Sequence, residues 1–312
     1  MNNEVFRGRD ILSMTDLSAS EVAHVLDVAE AQKRMWATGM RKAPLGGKTV
    51  ALILQKQSLR TRVSFEVACQ RLGVHTVVMS GEDAAFSRGE TVHDTAKVLE
   101  RYVDAIVIRT YAHAVVEELA AETSVPVINA LTDDHHPCQG LADLLTIREK
   151  LGRLAGVKLT YVGDGNNMAN TYLLGGALTG MDVIVASPAG YEPSAQLVAK
   201  ASVIASQNGG RVRVVNDPVA AVAGAEVVVT DTWASMGQEA EHAARVAAFQ
   251  GFRVDDALFA AAAPTAIFMH CLPAHRGEEV TDEVMDGPRS VIFDEAENRL
   301  HAQKALLSLV LG

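Results

Sequence analysis

Cysteine is scarce in this sequence, with three residues (Cys69, Cys138, Cys271) among 312. That excludes a disulfide-stapled scaffold and fits a reducing compartment, the cytoplasm. Long apolar runs are missing too, because charges interrupt each one before it reaches membrane-spanning length. The opening residues, Met1-Asn2-Asn3-Glu4, carry no secretory signal pattern, so a soluble intracellular protein is expected. An excess of positive charge is absent: the formal net charge is −10, and no basic stripe offsets it. This argues against a nucleic-acid-binding surface. There is no repeat of fixed period and no low-complexity segment. What remains is an ordinary globular composition, 48% hydrophobic, in a chain long enough for two α/β domains or one large one.

One stretch concentrates chemistry: Ser58-Leu59-Arg60-Thr61-Arg62. It follows an apolar run, Val50 to Leu54, that reads as a buried strand. It precedes Phe65, Val67, Ala68, Cys69 and Leu72, which recur at helical spacing. A strand-to-helix turn offers free backbone N–H groups and the positive end of a helix dipole to an anion. Arginine adds planar, bidentate recognition of phosphate oxygens. A solvated basic surface turn is the plainer alternative; the two hydroxyls and the helix start favour a phosphate site.

Elsewhere strands and helices alternate. Ser18 to Glu21 forms a capping box before a helix striped by Val22, Val25, Leu26 and Ala29. Strands are expected at 75–79, at 105–108 ending on Arg109, and at 125–128 ending on Asn129, with helices at 91–102 and 113–122. A polar loop spans 80–90, and loops of that length are often functional. His135 to Gln139 opens a helix over 141–151, and 152–156 reads as a junction. A second alternation follows, with strands at 158–162, 182–186, 211–215, 226–230 and 267–270. Its helices fall at 168–179, 194–207 and 219–223, and a terminal helix covers 295–311. Repeated β-α alternation predicts two doubly wound parallel sheets.

In such sheets ligands bind beyond the carboxyl ends of the strands. Those ends carry the Arg60 turn, Arg109, Asn129 leading to His136, the Gly163 turn, Asp231 and His270-Cys271. Gly163-Asp-Gly165 invites a dinucleotide reading, but Met168 stands where the third glycine belongs, so a tight turn is the simpler assignment. Asn167 suits a small polar ligand or, equally, a helix cap. His135, His136, Cys138, His270 and Cys271 have no zinc-like spacing, and neighbours on a strand project oppositely. Cys69 lies on an apolar helix face as a core residue. Asp231-Thr-Trp-Ala-Ser235-Met236-Gly237 fits either a cap and turn or a loop that closes over a cationic ligand.

Taken in order, these pieces resemble the aspartate/ornithine carbamoyltransferase family, in its ornithine branch, over nearly the whole chain. Ser58 to Arg62 and His136-Pro137-Cys138-Gln139 are similar to its two carbamoyl-phosphate signatures. Gly163 to Asn170, Asp231 to Gly237 and His270-Cys271-Leu272-Pro273 are similar to the ornithine branch's marks. The resemblance implies two parallel-sheet domains with the active site in the cleft between them. Residues 1–134, joined by a C-terminal helix at 295–312, would bind carbamoyl phosphate, and residues 135–294 would bind ornithine. It further implies transfer of the carbamoyl group to the ornithine side-chain amine, giving citrulline and phosphate in arginine metabolism. No cofactor or metal is implied.

On the same ground, Ser58, Leu59, Arg60, Thr61, Arg109, His136, Pro137, Cys138, Gln139, Cys271, Leu272 and Arg299 would bind carbamoyl phosphate. Asn167, Asp231, Ser235 and Met236 would bind ornithine. Arg109, His136, Asp231 and Cys271 would carry catalysis. A homotrimer or trimer-based assembly is implied, with a residue of the 80–90 loop reaching a neighbouring subunit. Ala85 stands at the usual position, so Arg88 is expected to replace it. Related amines (N-acetylornithine, putrescine or aspartate) are the competing substrates. A non-catalytic paralogue of this fold and a nicotinamide-dependent oxidoreductase are the competing classes.

Overall fold

The structure, a computed structural model, describes residues 3–80, 89–234 and 239–312. Two compact units divide the chain: residues 1–145 with 297–312, and residues 146–296.

In the first unit, α1 (Ala19–Ala37) starts on the expected capping box, with the Ser18 hydroxyl accepting from the Glu21 amide. Strand β1 (Thr49–Leu54) leads into α2 (Leu59–Leu72), then β2 (His75–Ser80), α3 (Val92–Leu99), β3 (Ala105–Arg109), α4 (His113–Glu122) and β4 (Val127–Leu131). The last strand begins after Pro126, which cannot donate to a ladder, and runs past the expected end at Asn129 because a register shift pairs Leu131 with Arg109. All pairings are parallel, in the order β2-β1-β3-β4. The chain therefore enters mid-sheet at β1, moves out to β2, and returns to build β3 and β4 on the other side. Right-handed crossovers then set helices on both faces.

Helix α5 (Pro137–Leu151) leads to the second unit: β5 (Lys158–Val162), α6 (Asn167–Leu178), β6 (Asp182–Ala186), α7 (Ala195–Asn208), β7 (Arg211–Val215), α8 (Pro218–Val222) and β8 (Val227–Thr230). Next come α9 (His242–Ala248), α10 (Asp256–Phe259), β9 (Ile267–His270), α11 (Asp282–Met285) and α12 (Ile292–Val310). The sheet order is β7-β6-β5-β8-β9, again all parallel and again entered at a central strand. Interior strands β3 and β8 are buried at every residue, as both-face burial requires. So is the edge strand β9, whose open side exchanges backbone bonds with residues 289–291, whereas edge strands β2 and β7 are partly exposed.

The residue pattern puts a junction at 152–156, after α5, and the family resemblance puts one at 134/135, before it. The first unit instead extends through that helix to Leu145, because its opening turns bond within this unit. The Cys138 thiol donates to the Asn129 carbonyl at 3.4 Å, and Gln139 receives Arg299. The chain re-enters the unit at Glu297, inside α12, which starts three residues earlier than expected. Among the described residues, no helix is long and apolar enough to cross a membrane.

Candidate active site

In each unit the strand order reverses beside the first strand, and a doubly wound sheet opens a crevice at that switch point. In the first unit the reversal lies between β1 and β3. The turn after β1 and Arg109 at the end of β3 are therefore side by side, tied by the Gln55 amide donating to the Arg109 carbonyl at 2.9 Å. Ser58 caps α2, its hydroxyl accepting from the Thr61 amide at 3.2 Å. Thr61 is fully buried, and its oxygen accepts from Arg109 Nη1 at 3.5 Å and Arg299 Nη2 at 3.4 Å. Arg299 Nη1 also donates to Gln139 Oε1 at 2.6 Å, and Gln139 Nε2 donates to the buried Asp143 at 2.7 Å. Helix α12 thus delivers Arg299 to a site built from β1, β3 and α5. Leu59 is exposed, and Arg62 turns outward to pair with Glu66 at 2.9 Å, so Arg60 is the half-buried cation of the turn.

His136 is buried, and it is placed by a loop that Asn129 ties down. The Asn129 amide donates to the carbonyls of Leu12 (2.8 Å) and His135 (3.3 Å), and Pro137 begins α5 immediately after. Burial and then the cations Arg299, Arg109 and Arg60 hold the imidazole well below its usual titration range. Its Nδ1 accepts from the Gln139 amide at 3.4 Å, which assigns the proton to Nε2. A neutral imidazole with Nε2–H is a hydrogen-bond donor, not an acid. Cys138 is no nucleophile here, since burial pushes its thiol up to about 12.

A pH prediction follows from His136. The unfolded chain protonates this imidazole near 6.5, while the folded chain keeps it neutral, so its contribution to stability is lost as pH falls below 6.5. The slope reaches about 1.4 kcal/mol per pH unit. Denaturant titrations at pH 6.5 and 5.0 should show wild type losing more stability than His136→Gln. Taking the difference cancels Asp164, whose carboxyl is raised to about 6 and so pushes the other way. Equal losses in the two proteins would contradict a buried neutral His136.

In the second unit the order reverses between β5 and β8. Asp231 follows β8, buried, and two groups grip it: Asn166 Nδ2 donates to Oδ2 at 3.0 Å, and the Cys271 thiol donates to Oδ1 at 3.2 Å. The cap of α6 is Asn166, not Asn167. Its Oδ1 accepts from the Met168 and Ala169 amides (2.9 and 3.2 Å) and from the Tyr161 hydroxyl at 3.3 Å. Asn167, half-buried at the first helical position, is relieved of that duty. Gly165 serves packing, because a Cβ there would lie 2.3 Å from the Pro193 nitrogen, so this glycine is explained without a dinucleotide. Asp164 pairs with Arg245 at 2.9 Å, and Arg245 also donates to the Trp233 carbonyl at 2.9 Å, which holds the segment after Asp231. Burial raises the Asp164 carboxyl most, and the charge of Asp231 adds to it, against the pull of Arg245.

The chain turns sharply after β9. Leu272 adopts φ +60°, and its amide donates to His270 Nδ1 at 2.9 Å. Strain of this kind in a non-glycine residue collects at functional sites. His270 Nε2 faces Glu279 at 3.2 Å. The expectation that His270 and Cys271 point apart does not hold, because β9 ends at His270 and strand alternation stops there. Donor atoms of Asp231, His270 and Cys271 lie within 4.8 Å of one another. With both His270 nitrogens engaged, that trio is a hydrogen-bonded cluster rather than a metal centre.

The first unit gathers Ser58, Arg60, Thr61, Arg109, His136, Gln139 and Arg299; the second gathers Asp231, Cys271 and Leu272, with Asn167 next to Asn166 at the start of α6. Ser235 and Met236 lie outside the described residues, as do Ala85 and Arg88. Asp143, Asp164, Asn166, Arg245 and Glu279 position these groups, and Lys56, buried at the β1 turn and paired with Asp133, adjoins them. Sequence reasoning singles out none of Lys56, Asp143, Asp164, Arg245 and Glu279; a buried charge next to a signature motif is the one signal that would have found Lys56 and Asp164.

These features define a doubly wound α/β protein with a cationic anion site at one switch point and a buried carboxylate at the other. Comparison with known proteins narrows the class. The carbamoyl-P binding domain of aspartate/ornithine carbamoyltransferases matches residues 9–149, and the Asp/Orn binding domain matches residues 155–310. The chain belongs to the aspartate/ornithine carbamoyltransferase family. It is 54% identical over 306 residues to the ornithine carbamoyltransferase of Symbiobacterium thermophilum, covering 98% of this chain and 99% of that one. The ornithine carbamoyltransferase structure from Pyrococcus furiosus matches with a TM-score of 0.96 at 52% identity, covering 98% of each chain. The anabolic enzyme structure from Campylobacter jejuni matches with a TM-score of 0.91 at 37% identity, covering 96% of this chain and 98% of that one.

Proposed function

We propose that this chain transfers the carbamoyl group of carbamoyl phosphate to the side-chain amine of L-ornithine, giving L-citrulline and phosphate in arginine metabolism. The observation that carries this reading is the convergence of Arg60, Arg109 and Arg299 on a neutral His136 beside the N-terminus of α2. The α2 amides with Ser58, Leu59, Arg60 and Thr61 hold the phosphate. Ser58 and Thr61 already accept hydrogen bonds, so each hydroxyl keeps its own hydrogen to donate. Arg109 and the Nε2–H of His136 polarise the carbamoyl carbonyl and stabilise its oxyanion. Gln139 orients Arg299 there, while Pro137 and Cys138 shape the wall. The backbone of Cys271 and Leu272 completes the carbamoyl contacts.

Asp231, with Asn167, Ser235 and Met236, takes the α-ammonium and α-carboxylate of ornithine. The attacking amine titrates at ~10.4 in water and must lose a proton first; desolvation of the bound amine favours its neutral form. The amine nitrogen then bonds the carbonyl carbon. The C–O bond to phosphate breaks with the electron pair leaving on phosphate, and the nitrogen sheds its second proton. The resemblance to the family also supports a homotrimer or trimer-based assembly in the cytoplasm, for which sedimentation mass is the check.

Ornithine is preferred over its competitors on chemistry. N-acetylornithine lacks the α-ammonium that a buried carboxylate selects, putrescine lacks the carboxylate, and aspartate brings a second carboxylate toward Asp231. Ureido-product formation from carbamoyl phosphate with the four amines in parallel should rank ornithine first. A higher kcat/KM for any of the others would reassign the substrate.

A further inference from the structure

Apart from the proposed active-site groups, His242, His275 and Glu278 bring three donor atoms within 4.8 Å of one another on the surface of the second unit. His242 Nε2 lies 3.0 Å from Glu278 Oε2, and His275 Nδ1 lies 3.8 Å from that same oxygen. Tetrahedral zinc with bonds of about 2.0–2.1 Å sets its ligand atoms roughly 3.3 Å apart, so the observed spacings bracket the required one. The side chains are 45%, 48% and 33% exposed, which leaves a path for an ion and room for a water as fourth ligand.

Both arms of the group are held in place. His275 and Glu278 sit three apart in one turn, where the Glu278 amide donates to the His275 carbonyl at 2.9 Å and Gly277 to Val280 at 2.8 Å. The His275 amide is pinned to the buried Glu279 at 2.5 Å. His242 starts α9, which Arg245, one turn on, fixes through Asp164 and the Trp233 carbonyl. Little reorganisation is then needed to close the donors on a cation. An ion entering the group takes the place of the contact between His242 Nε2 and Glu278.

We propose that His242, His275 and Glu278 form a binding site for a borderline divalent cation, zinc foremost. Two imidazoles and one carboxylate suit zinc, whereas calcium and magnesium demand oxygen ligands. The bound ion ties the start of α9, just beyond the Asp231 segment, to the turn just beyond Cys271. It acts as a clamp on the two segments that flank the proposed amine site, without touching the substrate.

Zinc binding to the full-length chain by competition with a chromophoric chelator tests this, in a Cys271→Ser background that removes the neighbouring thiol. One zinc per chain is expected, with zinc K-edge absorption showing N/O ligands, imidazole scattering and no sulfur. His242→Ala, His275→Ala and Glu278→Gln should each weaken binding beyond the ~10- to 100-fold that loss of an outer-shell partner causes. Zinc should also slow amide exchange at 242–248 and 275–280 in this background but not with His242→Ala added. Unchanged affinity in the histidine variants, sulfur in the coordination shell, or no zinc uptake by the Cys271→Ser chain would each overturn the site.

Discussion

Asp231→Asn lowers kcat/KM for ornithine by about a hundred- to a few-thousandfold, and leaves 5-aminopentanoate, which is ornithine without its α-amino group, nearly unaffected. The expectation rests on burial. Asp231 is 9% exposed, and its two oxygens are aimed by Asn166 and the Cys271 thiol. Removing one partner of a buried charge pair costs about 3–5 kcal/mol, and every 1.4 kcal/mol is about tenfold. An amide keeps the shape and loses the charge, so the fold survives the change while the attraction for an α-ammonium does not. Comparable losses with both amines would move Asp231 to the reacting end, where it would govern deprotonation of the attacking nitrogen.

Arg60→Lys lowers kcat/KM for carbamoyl phosphate by about 10- to 150-fold, the value of a charge-assisted hydrogen bond of ~1.5–3 kcal/mol. Lysine retains the charge but not the planar fork that matches phosphate oxygens. Arg60 is the cation of its turn that faces inward; Arg62, two residues on, is spent on Glu66. Arg62→Lys is therefore the control, with kinetics near wild type. If Arg60→Lys also behaves as wild type, the phosphate is held elsewhere.

The sequence reveals this site unevenly, for physical reasons. The Ser58 turn is legible because a strand-to-helix connection compresses its ligands into consecutive residues. Arg109, Asp231 and Cys271 are legible because parallel sheets align their carboxyl ends. Arg299 is different: it arrives on a helix remote in sequence, and only the family resemblance points to it. The supports are silent in sequence. Nothing local in Asp143, Asp164 or Glu279 says that they hold Gln139, Arg245 and His270, because each pairing is made by tertiary packing. Helices α9, α10 and α11 escape periodicity altogether, since segments of seven residues or fewer are shorter than the window in which a helical stripe emerges. The alternation rule fails at Cys271 because it applies only inside a strand.

The central claim is carbamoyl transfer to the ornithine side chain, and isotope transfer tests it most directly. Carbamoyl phosphate labelled with ¹³C at its carbonyl is mixed with ornithine and the purified chain, and ¹³C and ³¹P spectra are followed together. The account predicts that the label moves to a ureido carbon on the side-chain nitrogen, with inorganic phosphate appearing in equal amount and at equal rate. Label on the α-nitrogen, or phosphate release that leaves ornithine unlabelled, would contradict it.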